Sequence, residues 1–276
     1  MVRSILIGLD GSAYSTSAVD LGIEWARQCD ALLVGLGIID ASTICRPEMV
    51  PMGAGPYKQH RDEDVLAHAR RHVEQFLDHF TRRCTEAGVA SKRLEDVGMP
   101  YEHILVEAQR YDVILLGQQT YFHFATQEDP CETLTQVLKH TPRPVVTVPE
   151  TLGGGSSVVI AYDGSLQAAR ALHLFQASGL AGSQDVHVVT VGDTRVEAAR
   201  HADRAVEFLR FHTIQAHPHA LEAAPAAEVI LAQAQQLEAR LLVMGAYGQP
   251  AWREFFLGSV TRTALHKSPV PLFLYH

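Results

Sequence analysis

No stretch of this chain approaches the run of apolar residues that a membrane span needs, and no glycine loop in it is followed by G-K-[ST], so a Walker phosphate loop is excluded. Gly35-Leu36-Gly37 lacks the third glycine of a dinucleotide fingerprint. Positive charge is scarce: 23 Lys and Arg stand against 31 Asp and Glu, a net charge of −8, which argues against the basic face of a nucleic-acid binder. Cysteine is also scarce. Cys29, Cys45, Cys84 and Cys131 form no C-x-x-C pair and read as buried thiols of a reducing compartment. The chain enters a strand at once, with no signal-peptide apolar region, so the expected location is cytoplasmic. No Ser/His/Asp order and no carboxylate pair stands in a glycine-rich context, which leaves catalysis without an evident nucleophile or base.

What is present suits a soluble globular protein of two domains: 276 residues, 47% hydrophobic and 20% charged. The sequence repeats itself. Ile5-Leu6-Ile7-Gly8-Leu9-Asp10-Gly11-Ser12 returns as Val158-Val159-Ile160-Ala161-Tyr162-Asp163-Gly164-Ser165. Val113-Ile114-Leu115-Leu116-Gly117 returns as Leu241-Leu242-Val243-Met244-Gly245, and Thr141-Pro142-Arg143-Pro144-Val145 as Ser268-Pro269-Val270-Pro271-Leu272. Three matches in one order and at so long a period mean duplicated domains, 1–150 and 156–276, joined by Gly153-Gly154-Gly155-Ser156. The first copy is the longer, and its extra residues are expected in an irregular loop over 41–60, where Pro47, Pro51 and Pro56 interrupt regular structure.

Short Val, Ile and Leu runs alternate with helical stretches in both halves. Strands are predicted near 2–9, 31–39, 92–97, 112–117 and 144–148, then near 157–162, 185–191, 213–218, 240–245 and 270–275. Strands of this kind joined by helices imply an α/β protein with open, mostly parallel sheets covered on both faces. The last strand of each half, Pro144–Val148 and Pro271–Tyr275, is apolar and expected at an edge, through which the halves would pair as a pseudo-dimer, doubled again as a homodimer.

One stretch carries ligand chemistry. The run Arg240–Met244 ends at Gly245; Gly248 follows, then Gly258-Ser259 opens a helix that stops before Pro269. Glycine after a strand permits positive φ and lets a ligand lie against bare main chain. A helix start presents unpaired N–H groups and the positive end of its dipole, the makings of a phosphate site. Ser259 reads as an extra donor or as a plain helix cap, and Asp163 as a ligand contact or as an Asp-Gly turn.

The spacing G-x-x-G-x9-G-S over Gly245, Gly248, Gly258 and Ser259 resembles the adenine-nucleotide motif of the universal stress protein family. The resemblance implies two five-stranded sheets of order 3-2-1-4-5, Rossmann-like or adenine nucleotide alpha hydrolase-like. It implies ATP, or AMP or ADP, in the second half, with Asp163 and Val191 toward the adenosine and Met244, Gly245, Gly248, Gly258, Ser259 and Val260 around ribose and phosphates. The function implied is a stress-response binding module, with a weak ATP-hydrolysing or nucleotide-transferring enzyme, or a structural dimer that binds nothing, as the alternatives. The first half departs from the motif: Thr120 replaces the second glycine, and Pro130-Cys131-Glu132 stands where Gly-Ser should open the helix. It is expected to have lost standard ATP binding. His68 and His72, with Asp64 one turn before, and His217-Pro218-His219 have ligand-like spacing, but in a chain of 15 histidines they read as solvated side chains, and no metal is expected.

Overall fold

The computed structural model describes residues 1–49, 51, 53–122, 131–223, 225–246 and 259–276. The first half runs β1 (Ser4–Leu9), α1 (Ala13–Cys29), β2 (Leu32–Ile39), α2 (Ala41–Ile44), α3 (Gly55–Ala87), β3 (Ser91–Val97), α4 (Pro100–Ala108), β4 (Val113–Gly117), α5 (Thr133–His140) and β5 (Val145–Val148). The second runs β6 (Ser157–Ala161), α6 (Leu166–Ser178), β7 (Asp185–Gly192), α7 (Arg195–Phe211), β8 (Ala216–Glu222), α8 (Ala226–Gln236), β9 (Ala239–Gly245), α9 (Ser259–Lys267) and β10 (Leu272–Tyr275).

The strands form one ten-stranded sheet, β3-β2-β1-β4-β5-β10-β9-β6-β7-β8, which is the order 3-2-1-4-5 twice over. Pairing within each half is parallel. The halves meet where β5 and β10 pair antiparallel, Leu272 opposite Thr147, Phe273 opposite Val146 and Leu274 opposite Val145. Each apolar edge therefore covers the other. Helices α1, α3, α6 and α7 bury their apolar stripes on one face, with Trp25, Phe80, Phe175 and Leu209 in that layer. Helices α4, α5, α8 and α9 cover the opposite face through Ile104, Val137, Ile230 and Leu265. The core crosses the junction without a break, since one apolar cluster takes in Val146 and Val148 of β5 together with Phe273 of β10, whose ring meets that of Phe175 of α6 edge-on at 5.9 Å.

Three local expectations are corrected. The 41–60 region is not an irregular loop throughout: Asp40 accepts a bond from the Thr43 N–H (3.0 Å) and caps the short α2, and α3 already begins at Gly55. Pro56 sits in its first turn, where a missing N–H costs nothing. The extra length of the first half thus lies partly in α3, 33 residues against 17 in α7. Next, β8 starts three residues later than 213, because Thr213 turns into left-handed φ (61°) and the Ile214 N–H bonds Leu209 O at 3.0 Å to finish α7. Finally, Cys29 and Cys84 are buried, and burial pushes their thiols up from the usual value, but Cys131 is half-buried and Cys45 exposed. Among the described residues no helix is long and apolar enough to cross a membrane.

The seam carries a defect. Thr147 is 1% exposed and its hydroxyl finds no hydrogen-bond partner among the described residues. Thr147→Val should therefore stabilise the protein by about 1 kcal/mol, whereas Phe273→Ala should cost about 3–5 kcal/mol. Urea unfolding midpoints check both signs.

Candidate functional site

The second half opens a cleft where its strand order reverses, between β6 and β9. Beyond β6 the chain passes Tyr162 and Asp163, turns at Gly164 with φ 79°, and enters α6. Only glycine fits that turn: an added Cβ would fall 2.2 Å from the His201 ring nitrogen Nδ1. The Asp163 Oδ1 accepts from the Ser165 N–H (2.9 Å), and the Ser165 hydroxyl accepts from the Ala168 N–H (3.2 Å), capping α6. Among the described residues the second Asp163 oxygen has no partner, and the side chain is exposed at the rim.

Gly245 ends β9, but its φ is not left-handed, contrary to the expected use of this glycine. A Cβ there would stand 2.6 Å from the Ala168 N and 2.7 Å from the Gln167 carbonyl carbon. It is glycine because the first turn of α6 lies against it.

The cleft has a volume of about 240 Å³. Val189, Val191, Ile230 and Met244 give it apolar walls; Asp163, Ser165, Gln167, Ser259 and Thr261 give it polar edges. The Thr190 hydroxyl donates to Tyr162 O (2.7 Å) and the Tyr162 N–H to Val189 O (3.0 Å), fixing the rim beside β7. Burial first, and the Asp163 carboxylate second, raise the Tyr162 phenol above its ordinary value against an opposing pull from Arg204, so it remains a neutral donor. Such a cleft can sandwich a flat apolar group and hold polar substituents at its mouth.

Of the residues expected from sequence, Asp163, Val191, Met244, Gly245, Ser259 and Val260 all line this one cleft. Gly248 and Gly258 lie outside the described residues. Ala226 and Ile230 of α8, and Gln167 and Ala168 of α6, also line it and belong to no motif in the sequence. Their signal is weak, since a helical Ile or Ala reads as ordinary core.

The same place in the first half is filled. Phe122 is 1% exposed, and a Cβ on Gly8, the counterpart of Ala161, would stand 3.0 Å from its ring. Asp10 is 5% exposed and fully engaged: Oδ1 accepts from the Ser12 N–H (3.0 Å) and hydroxyl (2.6 Å), and Oδ2 from the Tyr121 N–H (2.6 Å). Thr120 is buried and locked to Cys131 by a 2.7 Å backbone bond from the Cys131 N–H and a hydroxyl bond to Cys131 O (3.2 Å). Glu132 stands at the cap position of α5 without a side-chain capping bond.

The histidine pairs fall differently from their spacing. His68 and His72 pack ring to ring at 4.3 Å, while Asp64 lies 3.7 Å from His60. His217 and His219 sit on β8, and the fold adds His187 from β7, whose Nδ1 is 3.0 Å from His219 Nε2. Burial, then the neighbouring imidazoles, hold His187 and His219 below the usual histidine value; Asp185 opposes this at His187.

An open α/β sheet with a crevice at its switch point defines the class of doubly wound folds. The sequence profile of the universal stress protein family matches residues 1–149 and again 156–276. The chain belongs to that family, as a tandem of two such domains. It is 26% identical over 174 residues to Universal stress protein Slr1230 of Synechocystis, a match covering 60% of this chain and 58% of that relative. In fold it resembles a universal stress protein from Archaeoglobus fulgidus, with a TM-score of 0.76 at 19% identity over 99% of this chain and 97% of the other. A functionally unknown protein from Pseudomonas aeruginosa aligns with a TM-score of 0.60 at 16% identity over 99% of this chain and 92% of the other.

The two aspartates should behave oppositely. Asp10→Ala strands buried donors and should cost about 1–3 kcal/mol, whereas Asp163→Ala loses one exposed turn bond and should cost about 1 kcal/mol or less. Denaturant midpoints of the two variants measure the difference.

Proposed function

We propose that this protein binds one adenine nucleotide, ATP or its AMP or ADP relatives, in the cleft of its second half, and that it works in the cytoplasm as a stress-response binding module. The observation that carries this reading is convergence. Asp163, Val191, Met244-Gly245 and Ser259-Val260 come from four separate stretches of sequence and line one crevice.

The chemistry fits the ligand class. A purine has two apolar faces for Val189, Val191, Ile230 and Met244, and a ribose has hydroxyls for the unpartnered oxygen of Asp163. Phosphates would lie toward Ser259, Val260 and Thr261, where α9 begins. Gly248 and Gly258 would complete the phosphate loop by the family spacing. Among the described residues Asp163 is the sole carboxylate lining the cleft and no histidine lines it, which favours holding a nucleotide over hydrolysing it. The first half serves as a scaffold, because Phe122 and the Tyr121 N–H occupy what a nucleoside would need.

Linkage supplies the test. ATP at a hundred times its Kd should add about 2.7 kcal/mol to stability and raise Tm. Asp163→Ala and Gly258→Glu should each lose most of that shift, while Asp10→Ala, though less stable, should keep it. No shift in the wild type, or a shift that depends on Asp10 instead, refutes the reading.

A further inference from the structure

We propose that His187, His217 and His219 form a binding site for a first-row divalent cation of the zinc type, outside the nucleotide cleft. The argument begins with strand geometry. His217 and His219 are two apart on β8 and so share one face of the sheet. His187 of β7 is directly opposite His217 in register, and Val189 opposite His219, so His187 reaches one neighbour across the strand and the other on the diagonal. A His-x-His on one strand with a third imidazole on the next can surround a point just above the sheet.

Distances support that use. A tetrahedral zinc with Zn–N of roughly 2.0–2.1 Å holds two imidazole nitrogens about 3.3 Å apart and their ring centres about 5 Å apart. The His187 Nδ1 faces the His219 Nε2 at 3.0 Å, and the His187 ring centre lies 5.1 Å from that of His219 and 5.4 Å from that of His217. The hydrogen bond between the two imidazoles holds them close to the required separation, with one proton where the cation would go. Binding displaces that proton to the other nitrogen of its own ring, a tautomer shift through solvent that keeps both imidazoles neutral and frees a lone pair on each facing nitrogen to become a ligand.

Among the described residues no three ligand atoms already converge on a metal position, so the His217 ring must rotate inward. It is free to do so. His217 is exposed, and β8 is the last strand of the sheet, so the approach is from solvent. Three imidazoles leave a fourth position for water, and the carboxylate of Asp185, two residues before His187 on the same face, adds negative charge nearby. The first half has Val34, Lys92 and Leu94 at the matching register, so the cluster is not a by-product of duplication.

The full chain, stripped with chelator, is titrated with Zn²⁺ against a chromophoric competitor, and with Co²⁺ while its visible spectrum is followed. One Zn²⁺ per chain and a tetrahedral Co²⁺ spectrum without thiolate bands are expected. His187→Gln and His219→Gln should each weaken binding by about tenfold or more, and His217→Gln likewise. His68→Gln with His72→Gln should leave it unchanged. Because His217 is exposed, its variant decides the matter even if the other two fold poorly. Failure of the wild type to bind, retention of full affinity by His217→Gln, or loss of binding with His68 and His72 instead, overturns the site. A negative result for ATP leaves this test untouched.

Discussion

A parallel sheet whose strand order reverses cannot close its own crevice. On either side of the reversal the chain leaves adjacent strands toward opposite faces, and the gap between them must be packed from within or left for something else. This protein contains that gap twice and treats it in two ways. Between β1 and β4 the chain's own Phe122 and the Tyr121 N–H fill it, and Gly8 lacks a Cβ that would stand 2.5 Å from Leu116 Cδ2 and 3.0 Å from the ring. Between β6 and β9 the gap stays open, with Ala161 at its floor and an unspent carboxylate oxygen at its rim.

Asymmetry of this kind follows from duplication. Once β5 and β10 are joined in one sheet, either half can give up its crevice without loss of fold, because the apolar layers on both faces run through the junction. The half that fills its gap gains buried aromatic surface and satisfied hydrogen bonds, hence stability. The half that keeps its gap retains a place for a ligand. On the proposed reading, function and stability are thereby divided between two copies of one architecture, the first of which also carries the longer helix α3.

Much of this was readable from sequence because the signals were local and repeated. Near-continuous Val, Ile and Leu in Ile5–Ile7 and Val158–Ile160 marked buried parallel strands, and the spacing from Gly245 to Ser259 pointed to the cleft. Other features depended on what the fold brings together. Phe122 sits in no periodic pattern, so its burial could not be seen; nor could the approach of His187 to His219, which requires the β7–β8 register. Pro56 looked like a breaker because a helix start and an irregular loop use proline alike. Gly245 does not turn with positive φ; what excludes a Cβ there is the first turn of α6, a contact that no local pattern in the sequence displays.

The account stands on the difference between the two crevices, and stoichiometry measures it most directly. Equilibrium dialysis of the intact chain against saturating labelled ATP should give one nucleotide bound per chain. Two per chain would mean that Phe122 does not keep its crevice shut, and none would mean that the open one is not a nucleotide site.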